Sequence, residues 1–189
     1  ARADFDGDGF KDVLLRDEAD TGRFRMFTIV DQDVTDADNP SMVEDLSYNF
    51  IGSAEFNGNS KADVLLRHES GSPWTMYLFD GTRVVGFGES DLPSSRSTNP
   101  VGFGDFNGDD NDDVMLRKSD GQWLLRLMNG PVVIGKSSPD ITDNKAFVVL
   151  AVEDLDGDGK DDLLMRRDNG KWRYALMNGL NSSEEGALA

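Results

Sequence analysis

The stretch DFDGDGFKDVLLR, from Asp4 to Arg16, joins an acidic, glycine-containing loop of nine residues to a short apolar segment. Three related stretches follow it: EFNGNSKADVLLR from Glu55, DFNGDDNDDVMLR from Asp105 and DLDGDGKDDLLMR from Asp154. The four copies begin 51, 50 and 49 residues apart. A period near 50 residues is typical of proteins built from structural repeats.

Each repeat predicts four short antiparallel strands and no helix. The apolar run after each loop has the length and aliphatic composition of a strand that is buried on both faces. A polar turn leads to a second strand, which opens with an aromatic residue and closes at a tight hairpin turn. The aromatic residues are Phe24, Trp74, Trp123 and Trp172.

The hairpin turns are predicted at Asp80-Gly81, Asn129-Gly130 and Asn178-Gly179, with Asp31 at the equivalent place in the first repeat. We expect both residues of each pair to take positive φ. A third strand follows, as at 82–87 and 132–135, and a longer connection leads to the strand that enters the next loop. Those entering strands are predicted at 49–56, 99–106 and 147–155.

Four strands per repeat predict an all-β fold, a β-propeller built of four-stranded antiparallel blades. The whole chain, 1–189, is then one propeller segment with repeats at about 1–48, 49–98, 99–146 and 147–189. Only Ala1–Ala3 precede the first loop, and the ending LNSSEEGALA shows no clear fourth strand. We therefore expect a partial propeller, or a ring completed by self-association or by further blades, rather than a self-closed ring of four.

Alternate positions of each loop carry the oxygen ligands that Ca²⁺ prefers. In the first loop the predicted ligands are Asp4, Asp6, Asp8, the Phe10 carbonyl and Asp12. Glycines at positions 4 and 6 allow the chain to wrap tightly, since glycine takes positive φ without penalty. An EF-hand is excluded, because position 12 would need a glutamate and is Leu15 here, and because no flanking helix is predicted.

The other loops form a graded series. The fourth keeps four carboxylates, with the ligands Asp154, Asp156, Asp158, the Lys160 carbonyl and Asp162. The third has three, with Asp105, Asn107, Asp109, the Asn111 carbonyl and Asp113. The second has only two, with Glu55, Asn57, Asn59, the Lys61 carbonyl and Asp63. Because affinity follows ligand charge and loop rigidity, we expect two to four Ca²⁺ per chain, with the second loop weakest or empty.

Composition restricts the classes of partner and of catalytic site that the chain can have. Sixteen of the 36 acidic residues lie in the four loops, and the net charge of -17 argues against nucleic acid and anionic lipid as partners. No apolar stretch is long enough for a membrane-spanning helix. The absence of cysteine excludes disulfides and thiol catalysis. His68 is the only histidine, and the carboxylate pairs all lie in metal loops, so we predict no catalytic site.

Two further repeated positions have a structural and a ligand-binding interpretation. We expect the four aromatic residues to pack between blades rather than to stack on sugars. Four arginines end the strands after the loops, and for these we expect pairing with acidic loop residues rather than with a ligand. They are Arg16, Arg67, Arg117 and Arg166.

The loop DxDGDGxxD, the strand D[VL][LM][LM]R and the hairpin W-x3-L-M-N-G together resemble the bacterial FG-GAP/VCBS repeats, which are related to the calcium-binding repeats of the integrin α-subunit propeller. The resemblance covers essentially the whole chain. It implies a non-catalytic, secreted or cell-surface module that binds calcium and adheres to a protein or carbohydrate ligand. An accessory propeller of a secreted polysaccharide-active enzyme, and a lectin in its own right, remain as alternatives.

Overall fold

The computed structural model describes residues 1–188, which form sixteen β-strands and no helix. Ala189, the last residue of the fourth predicted repeat, lies outside the described residues. The strands are β1 Arg2–Ala3, β2 Asp12–Arg16, β3 Phe24–Val30, β4 Asp33–Asp38, β5 Tyr48–Ala54, β6 Asp63–His68, β7 Trp74–Asp80, β8 Arg83–Ser90, β9 Thr98–Gly104, β10 Asp113–Lys118, β11 Trp123–Asn129, β12 Val132–Ser137, β13 Val148–Glu153, β14 Asp162–Arg166, β15 Trp172–Asn178 and β16 Asn181–Leu188.

The strands form four separate four-stranded sheets, β1–β4, β5–β8, β9–β12 and β13–β16, and in each sheet the order along the sheet is the order along the chain. All pairings are antiparallel. The predicted all-β class and the four-stranded antiparallel sheets are therefore confirmed. Among residues 1–188 no helix is long and apolar enough to cross a membrane.

Two strands that were predicted to be missing are present. Arg2 and Ala3 do form a strand before the first loop, paired with Val13 and Asp12. The polar ending 181–188 forms β16, which pairs along the whole length of β15. Both strands lie at the edge of a sheet, where backbone pairing does not require an apolar alternation in the sequence.

The described chain divides into two compact units, before and after the boundary between Ser94 and Ser95. In the first unit one face of sheet β1–β4 packs on the facing side of sheet β5–β8. The buried residues of this core are Phe5, Leu14, Phe24, Met26, Met42, Ala62, Val64, Leu66, Tyr77 and Phe79.

The second unit repeats this arrangement with sheets β9–β12 and β13–β16. Its buried core residues are Phe106, Met115, Trp123, Leu125, Ile141, Phe147, Leu163, Met165, Ala175 and Met177. In both units the loop phenylalanine at position 2, Phe5 or Phe106, is fully buried. The loops are thereby anchored to the core by one side chain each.

The strand after each loop was predicted to be buried on both faces, and this holds for two of the four. Residues 64–66 of β6 and 114–116 of β10 are fully buried. Leu15 of β2 is 53% exposed, and Leu164 of β14 is only half-buried.

The hairpin turns differ from the prediction in their central residues. The loop after β7 consists of Gly81 and Thr82, and only Gly81 has positive φ, at 64°. Gly130 and Gly179 behave in the same way, which is the pattern of a type II′ turn. In the first repeat Asp31 and Gln32 both have positive φ, at 48° and 77°, as in a type I′ turn. The Asp or Asn before each glycine thus ends the strand instead of entering the turn.

The repeated aromatic and arginine residues form stacked pairs. The guanidinium of Arg67 lies 4.3 Å from the ring centroid of Trp74, and that of Arg117 lies 4.4 Å from Trp123. Both tryptophans are buried, as predicted for core residues. For Arg117 the expected pairing with acidic loop residues is wrong, because its guanidinium donates to the Gly121 and Phe147 carbonyls at 3.2 and 2.5 Å. The polar turn offers carbonyls directly beside the stacked guanidinium.

Candidate metal centres

Each acidic loop is a tight backbone turn around the side chain at position 1. In the first loop the Asp4 carboxylate accepts the N–H groups of Gly7 and Gly9, at 2.7 and 2.8 Å. The two glycines have φ of 80° and 88°, as the wrapping of the chain requires. Ser60 and Asp110 take the same left-handed conformation, at 61° and 66°. Asp110 thus takes in the third loop the backbone geometry that Gly9 takes in the first.

The first and fourth loops each bring three carboxylates together. Oxygens of Asp4, Asp6 and Asp8 lie within 4.8 Å of one another, and so do oxygens of Asp154, Asp156 and Asp162. The remaining predicted carboxylates, Asp12 and Asp158, fall outside these two groups. Asp158 instead pairs with the Lys160 ammonium, at 2.7 Å. The side chain of Phe10, whose carbonyl is a predicted ligand, is 42% exposed.

The third loop holds an oxygen that lacks a partner. Oδ1 of Asn107, at position 3, is buried and accepts no hydrogen bond within the described chain, while its Nδ2 donates to Asp109 at 3.0 Å. Asn111 also donates to Asp109, at 2.8 Å. Asp105 accepts the N–H groups of Gly108 and Asp110, as position 1 does in the first loop. A cation in this loop would satisfy the orphaned Asn107 oxygen.

The second loop is closed by its own side chains. Nδ2 of Asn57 donates to Asp63 at 3.0 Å, and Nδ2 of Asn59 reaches the Phe79 carbonyl at 3.4 Å. Both carboxylate oxygens of Glu55 accept loop N–H groups. The Lys61 ammonium forms an ion pair with Asp80. Amide groups thus stand where the first loop presents carboxylates, which favours the prediction that this loop binds calcium weakly or not at all.

The aspartate at position 9 is tied to the backbone in every loop. In the second loop the Oδ2 of Asp63 accepts the Phe56 N–H at 3.1 Å, and its Oδ1 accepts the Phe79 N–H at 2.9 Å. Phe79 follows a β-bulge in the pairing of β7 with β8. A bulge releases one amide from the ladder, and the aspartate accepts it.

The same two bonds recur in the other repeats, where the donors are Phe5 and Ile29 to Asp12, Phe106 and Met128 to Asp113, and Leu155 and Met177 to Asp162. All four aspartates are almost fully buried. Sequence patterns did not show this second role, because its partner lies about 16 residues away on another strand. The position 9 aspartate is therefore both a candidate ligand and a structural acceptor.

The electrostatics of these carboxylates favour neutralisation. Burial, with added repulsion from Asp109 and Asp105, raises the pKa of Asp113 to about 8. Burial also raises the pKa of the Asp6 carboxyl, with added repulsion from Asp12. The pKa values of Asp12 and Asp162 are raised for the same reasons. A divalent cation would offset both the desolvation and the repulsion.

Neighbouring loops are joined by backbone hydrogen bonds within each unit. The Ala62 N–H donates to the Asp4 carbonyl at 2.7 Å, and the Gly81 N–H donates to the Phe5 carbonyl at 2.8 Å. In the second unit the donors Asp161 and Gly179 make the equivalent bonds to Asp105 and Phe106, both at 2.8 Å. The two loops of each unit therefore form a connected rim. A cation bound in one loop would also restrict the position of the other.

The donor set fits calcium. The first and fourth loops offer clustered carboxylates, the third adds an orphaned amide oxygen, and no cysteine thiolate exists in the chain. His68, the only histidine, contacts Ser70 in its own turn at 2.7 Å and lies against Tyr48. No protein-family model and no curated protein matches the chain.

Proposed function

We propose that the protein is a calcium-binding β-propeller module of the FG-GAP/VCBS type, acting outside the cell or at its surface as a non-catalytic adhesion or ligand-binding unit. The observation that carries the calcium assignment is the convergence of three carboxylates in the first and in the fourth loop. Exposed surfaces of the sheets and loops would meet a protein or carbohydrate partner, while the cations hold the loop rim in one conformation.

Calcium suits these loops better than magnesium. Each loop offers carboxylate and carbonyl oxygens from alternate positions of a flexible turn, and calcium accepts six to eight such ligands in irregular geometry. Magnesium requires near-octahedral geometry and keeps several waters, so an all-protein cage rarely holds it. The ion would neutralise Asp4, Asp6 and Asp8 in the first loop and Asp154, Asp156 and Asp162 in the fourth.

The propeller assignment rests on the sheets. Four-stranded antiparallel sheets that follow one another along the chain, and that pack face to face at a period of about 50 residues, are the building pattern of propeller blades. Two of the repeated aromatic residues are buried too deeply to stack on a sugar. Trp74 and Trp123 are 0% and 1% exposed, so neither ring face is open to a glycan.

Metal counting combined with thermal unfolding tests the calcium assignment. We expect two or three calcium ions per chain by native mass spectrometry and a marked fall in Tm when a chelator is added. Each site occupied at a hundredfold excess over its Kd adds about 2.7 kcal/mol to the free energy of unfolding. An equal concentration of magnesium should give a smaller shift. No bound metal and an unchanged Tm would contradict the proposal.

Exchanging the loop patterns gives a sharper control. The double variant Asp6→Asn/Asp8→Asn gives the first loop the amides of the second at positions 3 and 5, and it should lose one ion per chain. The reverse variant Asn57→Asp/Asn59→Asp removes the amide that donates to Asp63 and should gain one ion. If both variants bind as many ions as the parent chain, the loops are not the calcium sites.

A further inference from the structure

One face of sheet β13–β16 is an open apolar surface. Leu155, Leu164, Tyr174, Leu176 and Leu188 line a cavity of about 410 Å³, together with Asp156. Leu155 and Leu188 are 43% and 48% exposed. Exposed apolar residues grouped in this way indicate an interaction surface rather than scattered surface variation. We name this surface the tail face.

The tail face is the fourth copy of a surface that is covered elsewhere in the chain. Leu155 occupies the loop position of Phe5 and Phe106, which are both fully buried. Leu164 occupies the position of Leu14 and Met115, at 3% and 0% exposure. In both units this surface is covered by the next sheet along the chain. The covering residues are Val64, Leu66, Tyr77 and Phe79 in the first unit, and Leu163, Met165, Ala175 and Met177 in the second.

The chain also carries an uncovered copy of the covering surface. On sheet β1–β4, Leu15 occupies the position of Leu66 and Met165, yet it is 53% exposed where they are fully buried. Val13 and Phe27 lie on the same side of the sheet, alternating with the buried Leu14 and Met26, and are only half-buried. We name this side the head face. Residues at these same repeat positions are the ones that cover the neighbouring sheet inside each unit.

The loops provide a specific contact site for a side chain as well. Within each unit the lysine at position 7 of one loop lies against the first glycine of the preceding loop: Lys61 is 3.4 Å from the Cβ position of Gly7, and Lys160 is 3.5 Å from that of Gly108. At the corresponding Gly157 no described atom lies within 4 Å. On the head face the residue at loop position 7 is Phe10, which is 42% exposed and could contact Gly157 of another copy in the same way.

We propose that two copies of this chain associate head to tail, with the head face of one copy on the tail face of the other. By analogy with the bonds inside each unit, the Lys11 N–H would donate to the partner's Asp154 carbonyl, and the Asp31 N–H to the partner's Leu155 carbonyl. Such a contact joins two different surfaces, so it closes into a ring or continues as a chain of copies. It does not depend on calcium, although bound calcium would order both loops at the contact.

Sedimentation velocity and light scattering of the whole chain test this proposal. We expect the mass to rise above 20.8 kDa, the mass of one chain, as the protein concentration increases. Leu15→Glu on the head face and Leu164→Glu on the tail face should each weaken self-association at least about tenfold, because each places a charge in an apolar contact. Ile134→Glu is the matched control, since Ile134 is 54% exposed on β12 and lies on neither face.

Mixing the two face variants separates this contact from any other. Leu15→Glu keeps an intact tail face, and Leu164→Glu keeps an intact head face, so an equimolar mixture should form a capped dimer and nothing larger. Leu188→Glu, at an exposed tail-face position, replaces Leu164→Glu if that variant unfolds. A chain that stays monomeric at every concentration overturns the proposal. So does self-association that both face variants leave unchanged.

Discussion

Replacing Asp63 with alanine is expected to lower the free energy of unfolding by about 2–6 kcal/mol, whether or not calcium is present. Asp63 is fully buried, and its two oxygens accept the backbone N–H groups of Phe56 and Phe79. Alanine would leave two buried backbone donors without an acceptor, each at a cost of about 1–3 kcal/mol, and would also remove the acceptor of the Asn57 Nδ2 group. Chemical denaturation followed by circular dichroism, with calcium and with chelator, measures the loss.

Two matched variants make this prediction specific. Asp63→Asn keeps one acceptor oxygen and should lose less than alanine does. Asp91→Ala removes the same charge from an exposed position and should change stability by less than about 0.5 kcal/mol. A loss below about 1 kcal/mol for Asp63→Ala would show that the two hydrogen bonds are not important for stability. Because the second loop is the one expected to bind calcium weakly or not at all, any metal contribution to the result should be smallest here.

Replacing Trp123 with alanine is expected to cost about 3–5 kcal/mol, the usual range for removing a buried aromatic side chain. Trp123 is 1% exposed, its indole N–H donates to the Thr142 carbonyl at 2.9 Å, and Arg117 stacks on its ring. The substitution therefore leaves a large cavity, one unpaired carbonyl and a guanidinium without its aromatic partner. Equilibrium unfolding in urea, followed by circular dichroism, measures the change.

The fourth repeat provides the control for this second prediction. Trp172 holds the equivalent position but is only half-buried, and Arg166 lies farther from its ring, at 5.1 Å. Trp172→Ala should therefore cost clearly less than Trp123→Ala. Equal losses for the two variants would mean that the burial of these regularly spaced aromatics does not determine their contribution to stability. A Trp123→Ala chain of unchanged stability would reopen the sugar-stacking interpretation.

The sequence predicted most of the strands because each central strand must alternate or bury its side chains. It failed at β1 and β16, where backbone pairing at a sheet edge leaves no apolar pattern to read. It also placed Asp80 in a turn that the structure forms with Gly81 and Thr82. A dipeptide such as Asp-Gly signals a turn, but the pairing of the flanking strands sets which residues occupy its centre.

For the candidate sites, spacing predicted the three carboxylates that converge in the first loop, since ligands at alternate positions of one turn are local in sequence, but it also included Asp12, which falls outside that group. It could not predict that Nδ2 of Asn57 donates to Asp63, or that Asp63 accepts the Phe79 amide. These contacts depend on rotamers and on a bulge in a different strand. The same holds for the stacking of Arg117 on Trp123, because charge pattern alone suggested an acidic partner.

The backbone hydrogen bonds between neighbouring loops affect how repeats can be added or removed during evolution. Ala62 and Gly81 donate through backbone amides, and Asp4 and Phe5 accept through backbone carbonyls. A joint made of main-chain atoms survives most substitutions at those positions. A duplicated segment of about 50 residues would therefore carry the backbone donors and acceptors that join it to its neighbours. Repeats of this kind can then be gained or lost without new side-chain contacts having to evolve.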